Sequence, residues 1–140
     1  MKQIIFVLTF IVFCSNAIAQ TPKEQADEYF RIGEKSLNKK EYKKAVESFT
    51  KVIEIDKGDA NAYAFRGQCY HYMSKYQEAI ADYNKALEIE PNYAEVYHLR
   101  GIVKGEMEDN KGACADWEKA FELGSNEALE LLEKFCNKQN

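Results

Sequence analysis

The chain has 140 residues, 46% of them hydrophobic and 30% charged, which suits one globular unit with a modest core. The formal net charge is −4, with 19 Lys and Arg spread among 23 Asp and Glu, so no basic surface is available to neutralise phosphates. This composition argues against a nucleic-acid partner, and two prolines and seven glycines are too few for a disordered or collagenous chain.

The N-terminal segment differs from the rest of the chain. A short positive start is followed by the apolar run IIFVLTFIVFC and by two small residues, Ala17 and Ala19. This order is typical of a secretory signal peptide, which we predict over residues 1–19 with cleavage after Ala19. Two alternatives stay open. One is an uncleaved anchor, although the run is shorter than the roughly 20 residues that span a bilayer. The other is a lipoprotein signal ending at Cys14, which follows the bulky Phe13.

Signal cleavage leaves a single domain, residues 20–140, that we expect to have no membrane span. The chain contains no Asn-x-Ser/Thr sequon, which favours a bacterial envelope over a eukaryotic secretory route. We therefore predict an exported protein of the periplasm or cell envelope, with lipid anchoring or an extracellular location as the weaker alternatives.

The rest of the chain repeats with a period of 34 residues. Four columns of small and aromatic residues set the register. They are Tyr29, Tyr63 and Tyr97; Gly33, Gly67 and Gly101; Ala45, Ala79 and Ala113; and Phe49, Tyr83 and Trp117. The period holds without insertions, and it divides the chain into repeats 26–59, 60–93 and 94–127.

Each repeat contains two segments with apolar residues three and four positions apart, the spacing of an amphipathic helix. In the second repeat these segments are NAYAFRGQCYHYM and YQEAIADYNKALEI. Pro91 then closes the unit, because proline cannot continue a helix interior. The glycine column lets paired helices approach closely, and the aromatic column fills the space that the small residues leave. The pattern predicts three helical hairpins in series, followed by a capping helix over 126–137.

These columns resemble the tetratricopeptide repeat, whose motif runs aromatic, Leu-Gly, Tyr, Ala, aromatic, Ala and Pro over 34 residues. Departures from that motif occur at Arg66 in the second repeat, at Ser36, Val52 and Lys57 in the first, and at Arg100, Lys104 and Ser125 in the third. The resemblance implies an all-α fold, a right-handed α-solenoid of three helix-turn-helix repeats with a C-terminal capping helix. It also implies a non-catalytic module that binds a protein or peptide along its concave surface.

The concave surface is lined by the first helix of each repeat in proteins that this chain resembles. The corresponding residues here are Phe30, Glu34, Leu37 and Asn38; Asn61, Ala64, Gln68, His71 and Tyr72; and Glu95, His98, Ile102 and Glu106. Any one of them could instead belong to the core between repeats, Phe30 above all, and the same holds for Leu99 on the third of these helices.

The best-known groove of this family clamps the terminal carboxylate of chaperone tails with Lys, Arg and Asn. The matching positions here carry Phe30, Glu34, Phe65, Glu95 and Leu99, so the clamp is absent. The remaining groove is acidic and aromatic, which suits a peptide with apolar anchors and basic residues. A structural subunit of an envelope assembly or a homo-oligomer is the alternative function.

Catalysis, metals and cofactors are not expected. Cys69 and His71 lie two residues apart, which separates them by about 200° around a helix. The chain has no CxxC, HxxxH or HExxH spacing, no GxSxG and no phosphate-cradling glycine loop. Most carboxylates fall on the outer helix faces, where a solvated surface is the simpler interpretation.

Three cysteines remain after signal cleavage. Cys114 stands in a column otherwise held by valine and isoleucine, which favours a packed thiol. If the chain turns back at Gly124, however, Cys114 and Cys136 lie at similar distances on either side of the turn. We therefore predict either a disulfide between them or two reduced thiols in the core, with Cys69 unpaired in both cases.

Overall fold

The computed structural model describes residues 20–136, which form seven α-helices and a final π-helical turn, with no strand in that range. The predicted signal segment lies outside the described residues. Between residues 20 and 136, every helix is too short or too polar to span a bilayer. The helices are α1 (Pro22–Asn38), α2 (Tyr42–Ile55), α3 (Ala60–Tyr72), α4 (Tyr76–Ile89), α5 (Ala94–Glu106), α6 (Asn110–Glu122) and α7 (Asn126–Leu131).

The helices pack as the hairpins α1–α2, α3–α4 and α5–α6, which stack in chain order. This arrangement confirms the predicted all-α helical-repeat fold. The turn inside each hairpin contains one residue with positive φ at the same repeat position, Lys40, Ser74 or Glu108. The following backbone N–H reaches back across the last helical turn, as Lys75 does to the carbonyl of Tyr70 at 2.8 Å. This is the Schellman ending of a helix, repeated three times.

The core is built around the glycine and aromatic columns. Phe49 and Tyr83 have no exposed surface and Trp117 is 5% exposed. A Cβ atom on Gly101 would lie 2.5 Å from Trp117 Nε1, and one on Gly67 would lie 2.9 Å from Tyr83 Cε1. The glycines are therefore required because the aromatic rings of the second helices occupy the space of their missing side chains.

Arg66, a departure from the repeat motif, joins two repeats. Its Nε and Nη2 atoms each donate a hydrogen bond to the Asp82 carboxylate at 2.8 Å, and Nη1 donates to Thr50 Oγ1 at 3.1 Å. Only 17% of the Arg66 side chain and 8% of the Asp82 side chain are exposed. Hydrogen bonding to Asp82 raises the pKa of Arg66. Where the motif has an apolar leucine, this chain therefore has a buried, bidentate ion pair.

The third repeat contains an equivalent pair. Arg100 donates to the Asp116 carboxylate at 2.8 and 2.6 Å and to Asn84 Oδ1 of the preceding repeat at 2.7 Å. Lys104, another departure from the motif, also contacts Asp116 at 2.8 Å. Arg100 and Lys104, the two departures from the motif on α5, therefore both have their charges paired with Asp116 on α6.

The C-terminal segment differs from the predicted helix over 126–137. Its α-helix ends at Leu131 and continues as a π-helical turn, Leu132–Cys136. The chain enters α7 through Gly124, whose φ of 99° is readily adopted only by glycine. A π-turn holds one more residue per turn than an α-turn and so changes the direction in which the last side chain points. Cys136 thereby reaches α6.

A disulfide joins Cys114 to Cys136 with their Cα atoms 5.9 Å apart. Of the two alternatives for these cysteines, the structure therefore has the cross-link. Cys69 is a free thiol with no exposed surface, and burial raises its pKa to about 12. A buried thiol of this kind is unreactive because little thiolate forms near neutral pH.

Reducing the disulfide is expected to lower the free energy of unfolding by about 3 kcal/mol, since the cross-link closes a loop of 22 residues. Urea unfolding with and without dithiothreitol measures the change, and Cys136→Ser is the control that should lose its sensitivity to reductant. Peptide mapping of residues 20–140, alkylated in denaturant without reductant, should find the label on Cys69 alone. Label on Cys114 and Cys136 as well would contradict the cross-link.

Candidate functional site

The predicted groove lies on the first helices of the three hairpins, α1, α3 and α5, which neighbour one another in the stack. The exposed members of the predicted set are Glu34, Asn38, Asn61, Tyr72, Glu95 and Glu106. The partly buried members are Phe30, Leu37, Gln68, His71, His98 and Ile102. Most of the predicted residues therefore present some surface on one set of helices.

Ala64 is a correction to that set. It is 5% exposed and packs in the core with Tyr83 and Val96, since the neighbouring repeat covers its small side chain. Phe30 is partly buried, with its ring edge-to-face against Phe49 and Phe65 at centroid distances of 5.3 Å. Both residues contribute more to packing than to an open surface.

Two hydrogen bonds of α3 side chains reach later parts of the chain. His71 Nε2 lies 2.9 Å from Glu106 Oε2, and Tyr93 Oη donates to Asn61 Oδ1 at 2.7 Å. Tyr93 was absent from the predicted set because it lies in the loop before α5, outside the helical periodicity. The first bond links the second repeat to the third, and the second joins the end of the second repeat to the first helix of the same repeat.

Tyr72 provides the largest exposed apolar surface of the predicted groove. It is 52% exposed, and its ring packs against Tyr42 at a centroid distance of 5.1 Å and beside His71 at 5.8 Å. An exposed aromatic ring held by neighbouring rings can contact a ligand at little entropic cost.

The charged residues of the predicted groove are all acidic, and Glu127 of α7 adds a further carboxylate beside His98. Burial lowers the pKa of His98, and the nearby Glu127 and Glu95 oppose that shift. The Nδ1 atom of His98 is buried and has no hydrogen-bond partner among residues 20–136. The carboxylates around α5 thus favour a cationic group.

Two cavities lie between α5 and the C-terminal segment. One, of about 300 Å³, is mainly apolar, and its lining residues are Ile102, Gly105, Glu106, Asn110, Cys114, Trp117, Leu131 and Phe135. The other, of about 410 Å³, is more polar, and its lining residues are Ala94, Glu95, His98, Leu99, Leu123, Gly124, Ser125 and Glu127. The sequence pattern had not indicated this cleft, because the C-terminal segment lies outside the repeat.

Residues 20–136 contain no group of three or more His, Cys, Asp or Glu side chains placed to hold a metal ion. Cys69 is buried, whereas His71 faces Glu106. The outer glutamates pair with lysines one helical turn before them, as Lys85 does with Glu88 at 2.9 Å. Such exposed pairs contribute little to stability and form no acid–base arrangement.

Two family models, both described as tetratricopeptide repeat, match this chain, one over residues 26–59 and the other over residues 60–93. No curated protein sequence matches the chain significantly. Together with the helix arrangement described above, the two matches show that the chain contains tetratricopeptide repeats, in agreement with the resemblance noted in the sequence.

Solved structures with the same fold include the TPR domain of Arabidopsis OM64, which is 25% identical to this chain. The match covers 86% of this chain and 100% of that domain, with a TM-score of 0.80. The second TPR domain of human RPAP3, in complex with the HSP70 peptide SGPTIEEVD, is 26% identical over 82% of this chain and 98% of that domain, with a TM-score of 0.77. The Sgt2 TPR domain from Aspergillus fumigatus is 26% identical. The match covers 87% of this chain and 82% of that domain, with a TM-score of 0.76.

Proposed function

This chain contains tetratricopeptide repeats, and from that premise we propose that it is a non-catalytic interaction module that binds a protein or peptide segment in its concave groove. Tetratricopeptide repeats generally serve as interaction surfaces and not as catalysts, and a solved relative, the human RPAP3 domain, holds an HSP70 peptide. The proposed mechanism involves binding without a catalysed reaction, because the ligand is held by contacts along α1, α3 and α5.

The observation that carries this proposal is the charge and shape of the groove. Its exposed charged residues, Glu34, Glu95 and Glu106, are all acidic, and Tyr72 offers an exposed ring. The peptide in the RPAP3 complex ends in the acidic sequence EEVD. An acidic groove repels such a tail, so the ligand of this chain belongs to a different class, one with basic residues and apolar anchors.

We further propose that the protein acts outside the cytoplasm, in the periplasm or cell envelope. The support is the signal-like sequence of residues 1–19 and the disulfide between Cys114 and Cys136, a bond that persists in oxidising compartments.

Random peptides displayed on phage and selected on the purified protein test the groove. We expect the selected peptides to be basic, and Tyr72→Ala to weaken their binding by about tenfold, the usual loss at a central aromatic contact. His98→Ala should weaken it as well. Phe121→Ala is the matched control, because Phe121 is an aromatic residue 44% exposed on α6, outside the groove. Fluorescence anisotropy with labelled peptides measures the affinities.

Several outcomes would contradict the proposal. If Phe121→Ala weakens binding as much as Tyr72→Ala does, the groove is not the binding surface. If the peptide SGPTIEEVD binds as tightly as the selected basic peptides, the charge argument is wrong. The alternative, an assembly subunit or homo-oligomer, requires self-association, so a monomer in light scattering at high concentration counts against it.

A further inference from the structure

We propose that the cleft between α5 and the C-terminal segment provides two adjoining subsites for the ligand peptide, one for a basic side chain and one for a bulky apolar side chain. The basic-residue subsite consists of Glu95, His98 and Glu127. The apolar subsite consists of Ile102, Trp117, Leu131 and Phe135. This inference rests on the proposed function and states which ligand side chains the cleft binds.

The apolar subsite is a cavity of about 300 Å³, at the lower end of the roughly 300–1,000 Å³ range of ligand pockets. Trp117 is one wall, and the Phe135 ring lies 6.0 Å from it between centroids. Gly105 has no side chain to fill the space. Phe135 is 53% exposed, a large apolar surface that an apolar ligand group would cover. This shape and chemistry suit a Phe, Trp or Leu side chain of the ligand.

The basic-residue subsite has two carboxylates and no Lys or Arg among the residues that line it. Glu127 Oε2 accepts a hydrogen bond from Ser125 Oγ at 3.0 Å, and a backbone hydrogen bond together with this one lowers the pKa of Glu127. A Lys ammonium or Arg guanidinium is both positively charged and rich in N–H donors, so it complements the two carboxylates.

The two subsites are spaced for one short peptide. They lie along the same helix, from His98 to Gly105, a separation of about 10 Å at 1.5 Å per helical residue. An extended peptide covers about 3.3 Å per residue, so a basic and an apolar side chain three residues apart would reach both subsites. Trp117 links the subsites directly, because its indole N–H donates to the carbonyl of His98 at 3.3 Å.

The disulfide holds the apolar subsite together. Cys114 lines that cavity, and its bond to Cys136 ties the turn that carries Phe135 to α6. Without the bond, only packing of the short α7 and the π-turn would keep Phe135 opposite Trp117. The affinity for the apolar residue should therefore fall on reduction, whereas the basic-residue subsite, which lies at the other end of α7, should be preserved.

The test uses the random peptides selected on the oxidised protein, with the fluorescence of Trp117, the single tryptophan of the chain, as a reporter. We expect enrichment of Lys or Arg about three residues from Phe, Trp or Leu. Phe135→Ala and reduction should each weaken these peptides by about tenfold, and Glu127→Gln should remove the preference for the basic residue. Glu133→Gln, an exposed change in the same segment, is the control and should have no effect.

Failure of this proposal is distinct from failure of the proposed function. If Phe135→Ala and Glu127→Gln leave binding unchanged while Tyr72→Ala weakens it, the peptides bind in the groove and the cleft proposal is overturned. If selection yields no peptide that binds the groove, both are overturned. Circular dichroism of each variant establishes that the helices are intact, so a loss of binding is not a loss of folding.

Discussion

Asp82→Ala is expected to lower the free energy of unfolding by about 3–5 kcal/mol, the usual result of breaking a buried ion pair by removing one partner. The reason is that the Arg66 guanidinium stays buried with only the Thr50 hydroxyl as an acceptor. The cost comes from the uncompensated charge and not from the intrinsic strength of the pair. Urea unfolding followed by circular dichroism measures the change.

Two controls separate this effect from general disruption. The double variant Arg66→Leu with Asp82→Leu removes both charges and restores the leucine of the repeat motif, so it should regain most of the lost stability. Lys85→Ala breaks the pair between Lys85 and Glu88, whose side chains are 41% and 70% exposed, and should cost less than about 1 kcal/mol. If Asp82→Ala costs no more than Lys85→Ala, the buried pair does not contribute to the fold as described.

Trp117→Ala is expected to cost about 3–5 kcal/mol, because it removes a large side chain that is 5% exposed and leaves a cavity against Gly101. The new space would join the existing cavity of about 300 Å³ beside α7, so the surrounding helices can close only part of it. Circular dichroism is again the measurement, since the variant lacks the fluorescent residue.

Trp117→Phe removes less side-chain volume at the same position than Trp117→Ala does. Phenylalanine occupies this column in the first repeat at Phe49, where it is fully buried, so the cost should be smaller than that of alanine. A loss as large as for Trp117→Ala would mean that the indole hydrogen bond to His98, and not the volume of the ring, accounts for the effect. Trp117 is thus both a packing residue and a wall of the proposed apolar subsite.

The spacing of a few residues was enough to predict most of the architecture. The columns through Gly67, Tyr83 and Pro91 predicted the hairpins because each repeat packs only on its neighbours, and the same contacts recur at every period. The departures at Arg66 and Arg100 were visible in the sequence, but their partners were not. Asp82 and Asp116 each lie 16 residues after their arginine, on the other helix of the hairpin. Helical periodicity within one segment does not predict a contact over that separation.

The exposure of the predicted groove residues follows only in part from the sequence. Tyr72 and His71 follow from their helical positions, whereas Ala64 is too small to stay exposed once the next repeat packs over it. The side chains of Tyr93 and Phe135 were not predicted to line a site, because a loop and a π-turn give no regular pattern of inward and outward positions.

Local periodicity and residue types were enough to specify the helical-repeat fold, the glycine and aromatic columns of its core and the acidic residues along its first helices. The position of the C-terminal segment depends instead on tertiary contacts. That segment is set by one turn at Gly124 and one bond between Cys114 and Cys136, features that occur once and have no periodic signal. The cleft between α5 and α7 exists only through that placement, which is why its two proposed subsites were found in the folded chain.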